Sequence, residues 1–345
     1  MLPTIISQTH AELRDGEVLS VWTPIHAKVH RTVRSRLLFK RNQCLLIAVS
    51  GGQDSLCLAK LLLDLQPKWG WSLGIAHCDH RWRPDSADNA RHVEDLAESW
   101  GMTFYLQVAT EPLTSEAAAR SWRYHVLSAI AQSHDYNYVV TGHTASDRAE
   151  TLLYNLIRGS GTDGLQALTW QRPLTENILL VRPLLEITRT QTGQFCQDFQ
   201  LPIWEDSTNQ DVKYARNRIR HGVIPYLREN FNPQVESTLA QTAELLQTDV
   251  EYLEQAAEEL RKTVMDQKQE LIFPVRINRR LLQSAPLALQ RRVMRQILLQ
   301  ILPVAPTFEQ IEKLTSLITA PNKSQTDPFT GGAKAKVEDD WISID

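Results

Sequence analysis

The sequence predicts an α/β protein: a Rossmann-like parallel sheet with helices on both faces, joined to a mainly helical C-terminal domain. Three observations carry this expectation. Short apolar runs alternate with helical stretches from Cys44 to about Trp204. The sequence-level motifs fall just after the apolar runs, where open α/β sheets bind their ligands. After Tyr226 the alternation stops and long helical patterns take over.

Each element follows from its own residues. Cys44 to Val49 (CLLIAV) reads as a buried strand, and leucines at 56, 58, 61, 62, 63 and 65 mark a helix from Ser55 to Leu65. Ser72 to His77 is the second strand, followed by a helix from Ser86 to Trp100. Thr103 to Val108 is the third, with a helix from about Ser115 to Gln132 behind it. Tyr138 to Thr141 is the fourth, leading into a helix from Asp147 to Arg158. Strands and helices at this spacing imply a parallel sheet with crossover helices. The stretch LRENFNPQVES then reads as a linker, and a long helical pattern runs from about Val235 to Val264. Further helices are expected near Pro286 to Leu302 and after Thr307, where Gln310 three positions later completes a capping signal. The chain therefore divides into an appended helical extension (1–40), an α/β domain (41–228) and a linker helix with a mainly helical domain (229–345).

At 345 residues the chain exceeds the usual single-domain size. No stretch approaches the roughly 18 apolar residues of a membrane span, and the N-terminus lacks a secretory pattern, so a cytoplasmic protein is expected. The four cysteines, Cys44, Cys57, Cys78 and Cys196, are widely spaced and read as buried thiols, with neither a zinc site nor a disulfide framework. The net charge of −3 hides segregation. Six Lys/Arg lie between Pro24 and Arg41, five between Val212 and Arg228, and six arginines between Leu271 and Ile301, all without an acid. Each run is either a solvated face or a surface for RNA phosphates.

The chemistry centres on Ser50-Gly51-Gly52-Gln53-Asp54-Ser55, which follows the first strand and opens a helix. Two glycines allow a tight turn and a close backbone approach. Backbone amides at the helix N-terminus then present positive charge to an anion. Ser50, Gly51, Gly52, Gln53, Asp54 and Ser55 are the candidate nucleotide-binding residues. Asp54 beside a phosphate calls for a bridging cation, and Mg²⁺ is expected there. A plain βα turn with a capping serine is the alternative.

This loop resembles that of the N-type ATP pyrophosphatases, the PP-loop superfamily with its adenine nucleotide α-hydrolase-like fold. Four further motifs narrow the resemblance. They are His77-Cys78-Asp79-His80-Arg81-Trp82-Arg83-Pro84-Asp85-Ser86, Glu116 to Arg120 running into Arg123-Tyr124, and Thr141-Gly142-His143-Thr144-Ala145-Ser146-Asp147-Arg148-Ala149-Glu150-Thr151 leading to Arg158-Gly159-Ser160-Gly161. The last joins Arg182-Pro183-Leu184-Leu185 to Trp204 through Asp211 and then Tyr214 through Arg220. In this order they are similar to the tRNA(Ile)-lysidine synthases, over about residues 40–228.

The resemblance implies a ligase of the AMP-forming, carbon–nitrogen type that uses ATP and L-lysine. In that family O2 of the wobble cytidine (C34) of a tRNA(Ile) with a CAU anticodon attacks the α-phosphate. The lysine ε-amine then attacks C2 and AMP leaves, giving lysidine. It places His143 and Asp147 in the catalytic pocket and one of Arg120 and Arg123 at the phosphate or adenylate charge. Asp54 is the further catalytic candidate from the loop, and His77 and Asp79, after the second strand, are candidates to line the nucleotide pocket. Arg158, Arg216 and Arg220 fall to the tRNA or the adenylate. The family's usual second His is Thr144 here and its usual first Asp is Ser146, which leaves fewer acid–base groups. Plainer readings stand beside these: Asp147 as a helix cap, Arg120 and Arg123 as a helix-surface pair, His77 as structural, and Arg216 and Arg220 paired with Glu205 or Asp206. A related sulfur transferase of the thiolase type is the alternative enzyme, though it calls for a reactive cysteine or an iron–sulfur cluster. Oligomeric state is left open, a homodimer included.

Overall fold

The computed structural model describes residues 22–111, 113–205, 213–265 and 274–345. It divides into two compact units, one of residues up to 154 with 168–240, the other of 155–167 with 241–345.

The first unit is built on a six-stranded sheet. Its strands are β1 (Cys44–Ala48), β2 (Ser72–Asp79), β3 (Thr103–Val108), β4 (Tyr138–Thr141), β5 (Gln171–Pro173) and β6 (Leu179–Val181), in the order β3-β2-β1-β4-β6-β5. All neighbours are parallel except β5 and β6, which pair antiparallel at one edge. The helices in chain order are α1 (Pro24–Ser35), α2 (Gln53–Trp69), α3 (Ser86–Ser99), α4 (Glu116–Ser133), α5 (Ala145–Ile157), the short α6 (Thr162–Leu165), α7 (Arg189–Asp198), α8 (Ala215–Arg218) and α9 (Ile224–Asn230).

Side-chain alternation along the strands decides what covers each face. Leu45 and Ile47 of β1, with Ile75 and Val140, join Leu58, Leu61 and Leu62 of α2, Val93 of α3 and Phe195 of α7 in the larger core. Leu46, Ala76, Val139 and Leu180 point the other way, onto Leu127 and Ala131 of α4. Leu45, Leu46 and Ile47 are fully buried, each contributing about 1.5–3 kcal/mol.

Helix α1 is an integral part of this core. Val29 and Val33 are buried in it, and buried His26 lies 3.0 Å from Asp64 Oδ2 on α2. The expectation of an appended extension is corrected to that extent; residues 1–21 lie outside the described residues. Nor does the division of the chain fall at 228/229. Ala149, Ile219, Ile224 and Val235 form one small core, and Arg228 meets Glu236 at 2.7 Å, which keeps α9 and the residues up to 240 with the sheet.

The second unit contains the later part of α10 (Val235–Val264), then β7 (Val275–Asn278), α11 (Arg279–Gln283), α12 (Leu287–Ile301), α13 (Phe308–Ser316), β8 (Ala335–Glu338) and β9 (Trp341–Ile344). Thr307 and Gln310 form the capping box expected at the head of α13. The helices pack on an antiparallel sheet ordered β7-β9-β8 that the sequence reading missed. Each of its strands has only four residues, too few for alternation to be told from chance. The basic run from Leu271 to Ile301 is mostly neutralised within this unit. Arg291 pairs with Glu312, Arg292 and Arg295 with Glu254 and Asp163, and Arg280 with Asp340. Such pairs answer the unit's own acids and do not by themselves form a phosphate-binding face.

Candidate active site

The strand order reverses beside β1: the chain runs outward to β2 and β3, then returns to place β4 on the other side. Loops leaving β1 and β4 diverge there and open a crevice at the carboxyl end of the sheet. A recess of about 430 Å³ lies in it, and Ser50, Asp54, Ser55, His77, Asp79, Arg123, His143, Asp147 and Arg220 all line it.

The anion loop is held in shape by its own side chains. Gly51 sits at φ +84°, and a Cβ there would come within 2.3 Å of Asn89 Oδ1, so only glycine fits. The Ser55 hydroxyl donates to the Gly52 carbonyl at 2.8 Å, the Ser50 amide donates to Ser55 Oγ at 3.2 Å, and Asn89 Nδ2 donates to the Ser50 carbonyl at 3.0 Å. The head of α2 therefore faces the recess with its first-turn amides, an arrangement suited to phosphate. Across the crevice Gly142 packs directly on this turn: a Cβ there would lie 2.7 Å from the Asp54 carbonyl oxygen.

Two carboxylates, Asp54 and Asp147, and two guanidiniums, Arg189 and Arg220, line one side of the recess, with Glu150 behind them. Asp54 accepts from Arg189 Nη1 at 3.0 Å and from the buried Thr192 hydroxyl. Asp147 takes Arg220 Nη2 at 3.3 Å. Glu150, one helix turn further along α5 and nearly fully buried, holds the same guanidinium through Nε at 2.7 Å and Nη2 at 2.9 Å. Arg220 projects from a π-helical turn, Ile219–Val223, between α8 and α9. The extra residue of such a turn re-aims a side chain, which is why these turns recur at functional sites.

Burial opposes charge throughout this wall. It raises the Asp54 carboxyl despite Arg189, and raises Glu150 despite Arg220. Asp147 resists it: His143, Arg220 and hydrogen bonds from Thr144 bring its carboxyl below the usual range. His143, by contrast, is driven well below the ordinary imidazole value by burial and by Arg182, and its Nδ1 meets the Thr141 hydroxyl at 2.9 Å. It is neutral at physiological pH.

Several expected residues take plainer places. Asp147 does cap its helix, since its Oδ2 accepts from the Thr144 amide and hydroxyl, both at 2.8 Å, but its Oδ1 remains toward Arg220 and the recess. Thr144 thus uses its position to start α5. His77 donates Nδ1 to the Val49 carbonyl at 2.8 Å, and Asp79 accepts from the Arg81 amide and the Ser86 hydroxyl, fixing the turn into α3. The Gln53 side chain leaves the loop for α7, where it donates to the Arg189 carbonyl at 2.6 Å and to Thr192 Oγ1 at 2.8 Å. Arg120 stands behind Arg123, over the ring of Tyr124. Arg216 lies 3.5 Å from Glu116 rather than Glu205, and Asp206 to Asp211 lie outside the described residues. Arg158 is exposed and belongs to the other unit.

Sequence reasoning gave no role to Arg189, Thr192, Glu150 or Tyr124, although Glu150 and Tyr124 stand inside the quoted motifs. Glu150 was legible in principle, three residues beyond Asp147 on the same helix face. Arg189 and Thr192 were not, because nothing in the sequence placed α7 against α2.

An oxygen donor set of this kind suits Mg²⁺, which binds proteins through one or two carboxylates and completes its shell with phosphates and water. Asp54, facing the anion loop, fits that role. Among the described residues no group of three or more His, Cys, Asp or Glu forms a dedicated metal cage. All four cysteines are free thiols. Burial pushes Cys78 up to about 12 and Cys57 higher still, so neither is a nucleophile. The sulfur-transfer alternative is not favoured. Among the described residues no helix is long and apolar enough to cross a membrane.

A glycine-turned anion loop at the head of α2, beside a crevice with a poised carboxylate, defines the PP-loop class. The PP-loop domain model matches residues 23–227, and the TilS substrate binding domain model matches residues 278–331. The chain belongs to the tRNA(Ile)-lysidine synthase family. It is 71% identical to the tRNA(Ile)-lysidine synthase of Nostoc sp. over 94% of this chain and 97% of that one, and 50% identical to that of Synechocystis sp. over 93% and 97%. Among solved structures, a U34-tRNA thiolase from Methanococcus maripaludis with a [4Fe-4S] cluster superposes with a TM-score of 0.55, at 18% identity, covering 65% of this chain and 78% of that chain. At that identity the likeness speaks to the fold alone.

Proposed function

We infer that the protein is an ATP-consuming ligase that converts the wobble cytidine of a tRNA(Ile) with a CAU anticodon to lysidine. One observation carries the reading: the anion loop and the Asp147–Arg220 pair open into a single recess.

The two halves of the chemistry map onto the two sides of that recess. The loop amides and Ser50 hold the triphosphate, with Asp54 carrying Mg²⁺. The metal supplies charge neutralisation of the phosphates. Arg123, lining the recess, faces the charge that develops when the cytidine O2 attacks the α-phosphorus and pyrophosphate leaves. In the second step the lysine ε-amine attacks C2, and the C2–O2 bond breaks as AMP departs with the oxygen. Asp147 forms the acidic side of the recess and holds the ε-ammonium before it reacts, while Glu150 behind it fixes Arg220. Deprotonating a free lysine amine at pH 7 costs ~4.6 kcal/mol, and a carboxylate in contact raises that cost. Asp147 therefore binds and orients lysine, and the proton leaves late. His143, already neutral and far below the ordinary imidazole range, serves as a hydrogen-bond acceptor rather than as a store for that proton. The second unit grips the tRNA body, and the enzyme acts in the cytoplasm.

The test is pyrophosphate release from ATP, measured with the tRNA transcript and lysine added singly and together. Release that requires the RNA, with AMP release that requires lysine as well, supports the order of steps. Release with neither present, or with a free amino acid as the adenylated species, sinks it.

A further inference from the structure

A cluster of arginines beside the recess has too few negative partners. Arg182 on β6's C-terminal end is 2% exposed, yet its Nη1 donates only to the Thr169 carbonyl at 2.6 Å and its Nε has no partner. Its other contact is the hydroxyl of Tyr124 on α4. Two further guanidiniums stand over the Tyr124 ring, Arg172 at 4.8 Å from the centroid and Arg120 at 5.7 Å. Arg123, one position before Tyr124, lines the recess and also has a buried Nε without a partner. None of the four is ion-paired among the described residues.

Three like charges gathered on one phenol, with a fourth beside it, are unfavourable unless an anion completes the set. A guanidinium taken out of water needs a compensating charge, and hydrogen bonds to carbonyl oxygens supply only part of it. The surroundings record the excess potential. Against the effect of burial, the arginines bring the Tyr124 hydroxyl below its ordinary range. Burial, with their help, drives His143 down. Arg182 itself gives up some of its basicity, first to burial and then to Arg172 and Arg120. Guanidiniums match phosphate oxygens in fork geometry, and among the described residues no carboxylate is paired with them.

We propose that Arg172, Arg182 and Arg120, arranged around Tyr124, form a phosphodiester subsite that takes the RNA backbone beside the nucleotide being modified. This rests on the reading of the chain as an RNA-modifying enzyme. Tyr124 lines the same recess as Asp54 and His143, so a phosphate held over its ring lies next to the reacting base. Arg172 is the member best placed to meet a polymer. It sits on β5, the edge strand of the sheet, and is partly exposed. Buried Arg182 is a positioning residue that fixes the phenol and adds charge.

The experiment measures binding of the unmodified tRNA(Ile) transcript to the full-length enzyme by anisotropy from low to high salt. ATP binding is measured separately on the same samples. Arg172→Ala is expected to reduce the slope of log affinity against log salt by ~0.7–0.9, the value for one lost phosphate contact. Arg172→Glu is expected to weaken tRNA binding by at least about tenfold at low salt. Arg172→Lys is expected to keep most of the slope, and all three to bind ATP as the parent does. Thermal melting confirms that each variant folds, and the Lys variant serves should the Glu variant fail to. If the parent binds tRNA with a steep salt slope and Arg172→Ala matches it, the subsite is overturned while the proposed function stands. If ATP affinity falls and tRNA affinity does not, the phosphate is the nucleotide's and the proposal is likewise overturned. If the parent shows no salt-dependent tRNA binding, the functional reading itself fails.

Discussion

Replacing Arg220 by Met removes the cation paired with a nearly buried Glu150 and leaves Asp147 beside it. The side chain of Glu150 is 3% exposed, that of Arg220 19%. Breaking a buried ion pair from one side costs about 3–5 kcal/mol, because the remaining charge stays out of water. Glu150 has one escape, which is to take up a proton. From its ordinary value of 4.5, protonation at pH 7 costs ~3.4 kcal/mol, and at pH 5 only ~0.7, at 1.36 kcal/mol for each unit. The first figure is thus a ceiling on the loss at neutral pH, and the second a ceiling in mild acid. The sign follows from the raised carboxyl. A group whose folded value lies above its unfolded one adds stability below the unfolded value and loses it as pH rises. The deficit of Arg220→Met should therefore grow from pH 5 to pH 7. Urea unfolding followed by tryptophan fluorescence isolates this unit, since Trp341 alone of the nine tryptophans lies in the other. Adding Glu150→Gln to Arg220→Met should recover most of the loss. A deficit under about 1 kcal/mol at pH 7, or one that does not change with pH, refutes the argument that Glu150 is held by this pair.

Gly142→Ala places a methyl group 2.7 Å from the Asp54 carbonyl and should cost about 1–3 kcal/mol while displacing the anion loop. Calorimetry should find ATP binding lost before the fold is, and parent-like affinity would contradict the close packing of β4 on α2. Asp54→Asn keeps the shape but not the charge, so the part of ATP binding that EDTA removes from the parent should be missing in the variant. An undiminished response to Mg²⁺ would move the metal elsewhere. Asp147→Asn should raise the KM for lysine at least about tenfold, as expected for a lost charged hydrogen bond, with the KM for ATP little changed. Unchanged lysine kinetics would take Asp147 out of the amine site. Asp147 is held below its ordinary 3.8, so the stability it contributes is present above that value and is lost as pH falls on through the lower folded value. The titration of His143 by NMR should show no imidazole step between pH 5 and 8, and a midpoint near 6.5 would show that its recess is wetter than described.

Much of this site was readable before any coordinates. Strand-length apolar runs followed by helices gave β1 to β4 with ends within about two residues, because continuous burial leaves a continuous apolar signature. Gly51 declared a turn, and the structure holds it at φ +84°. Arg189 and Thr192 were hidden because their partner, Asp54, lies more than 130 residues earlier, and only the folded contact of α7 with α2 joins them. Gln53 misled for the converse reason. It stands within the loop motif, yet the helix it opens turns its side chain away from the recess and into α7. Asp147 fits both readings at once, one carboxylate oxygen capping the helix and the other facing Arg220. The strands β7 to β9 were too short to announce themselves, and the basic run of the second unit told nothing of the acids that neutralise it.

Mass spectrometry of nucleosides from a tRNA(Ile) transcript, incubated with the enzyme, ATP, Mg²⁺ and isotopically labelled lysine, bears most directly on the whole account. One cytidine heavier by a lysine less one water is expected, with one AMP and one pyrophosphate formed for each, and no such product from Asp54→Ala. A transcript left unchanged by active, folded enzyme, or lysine joined to the RNA without ATP cleavage, would contradict it.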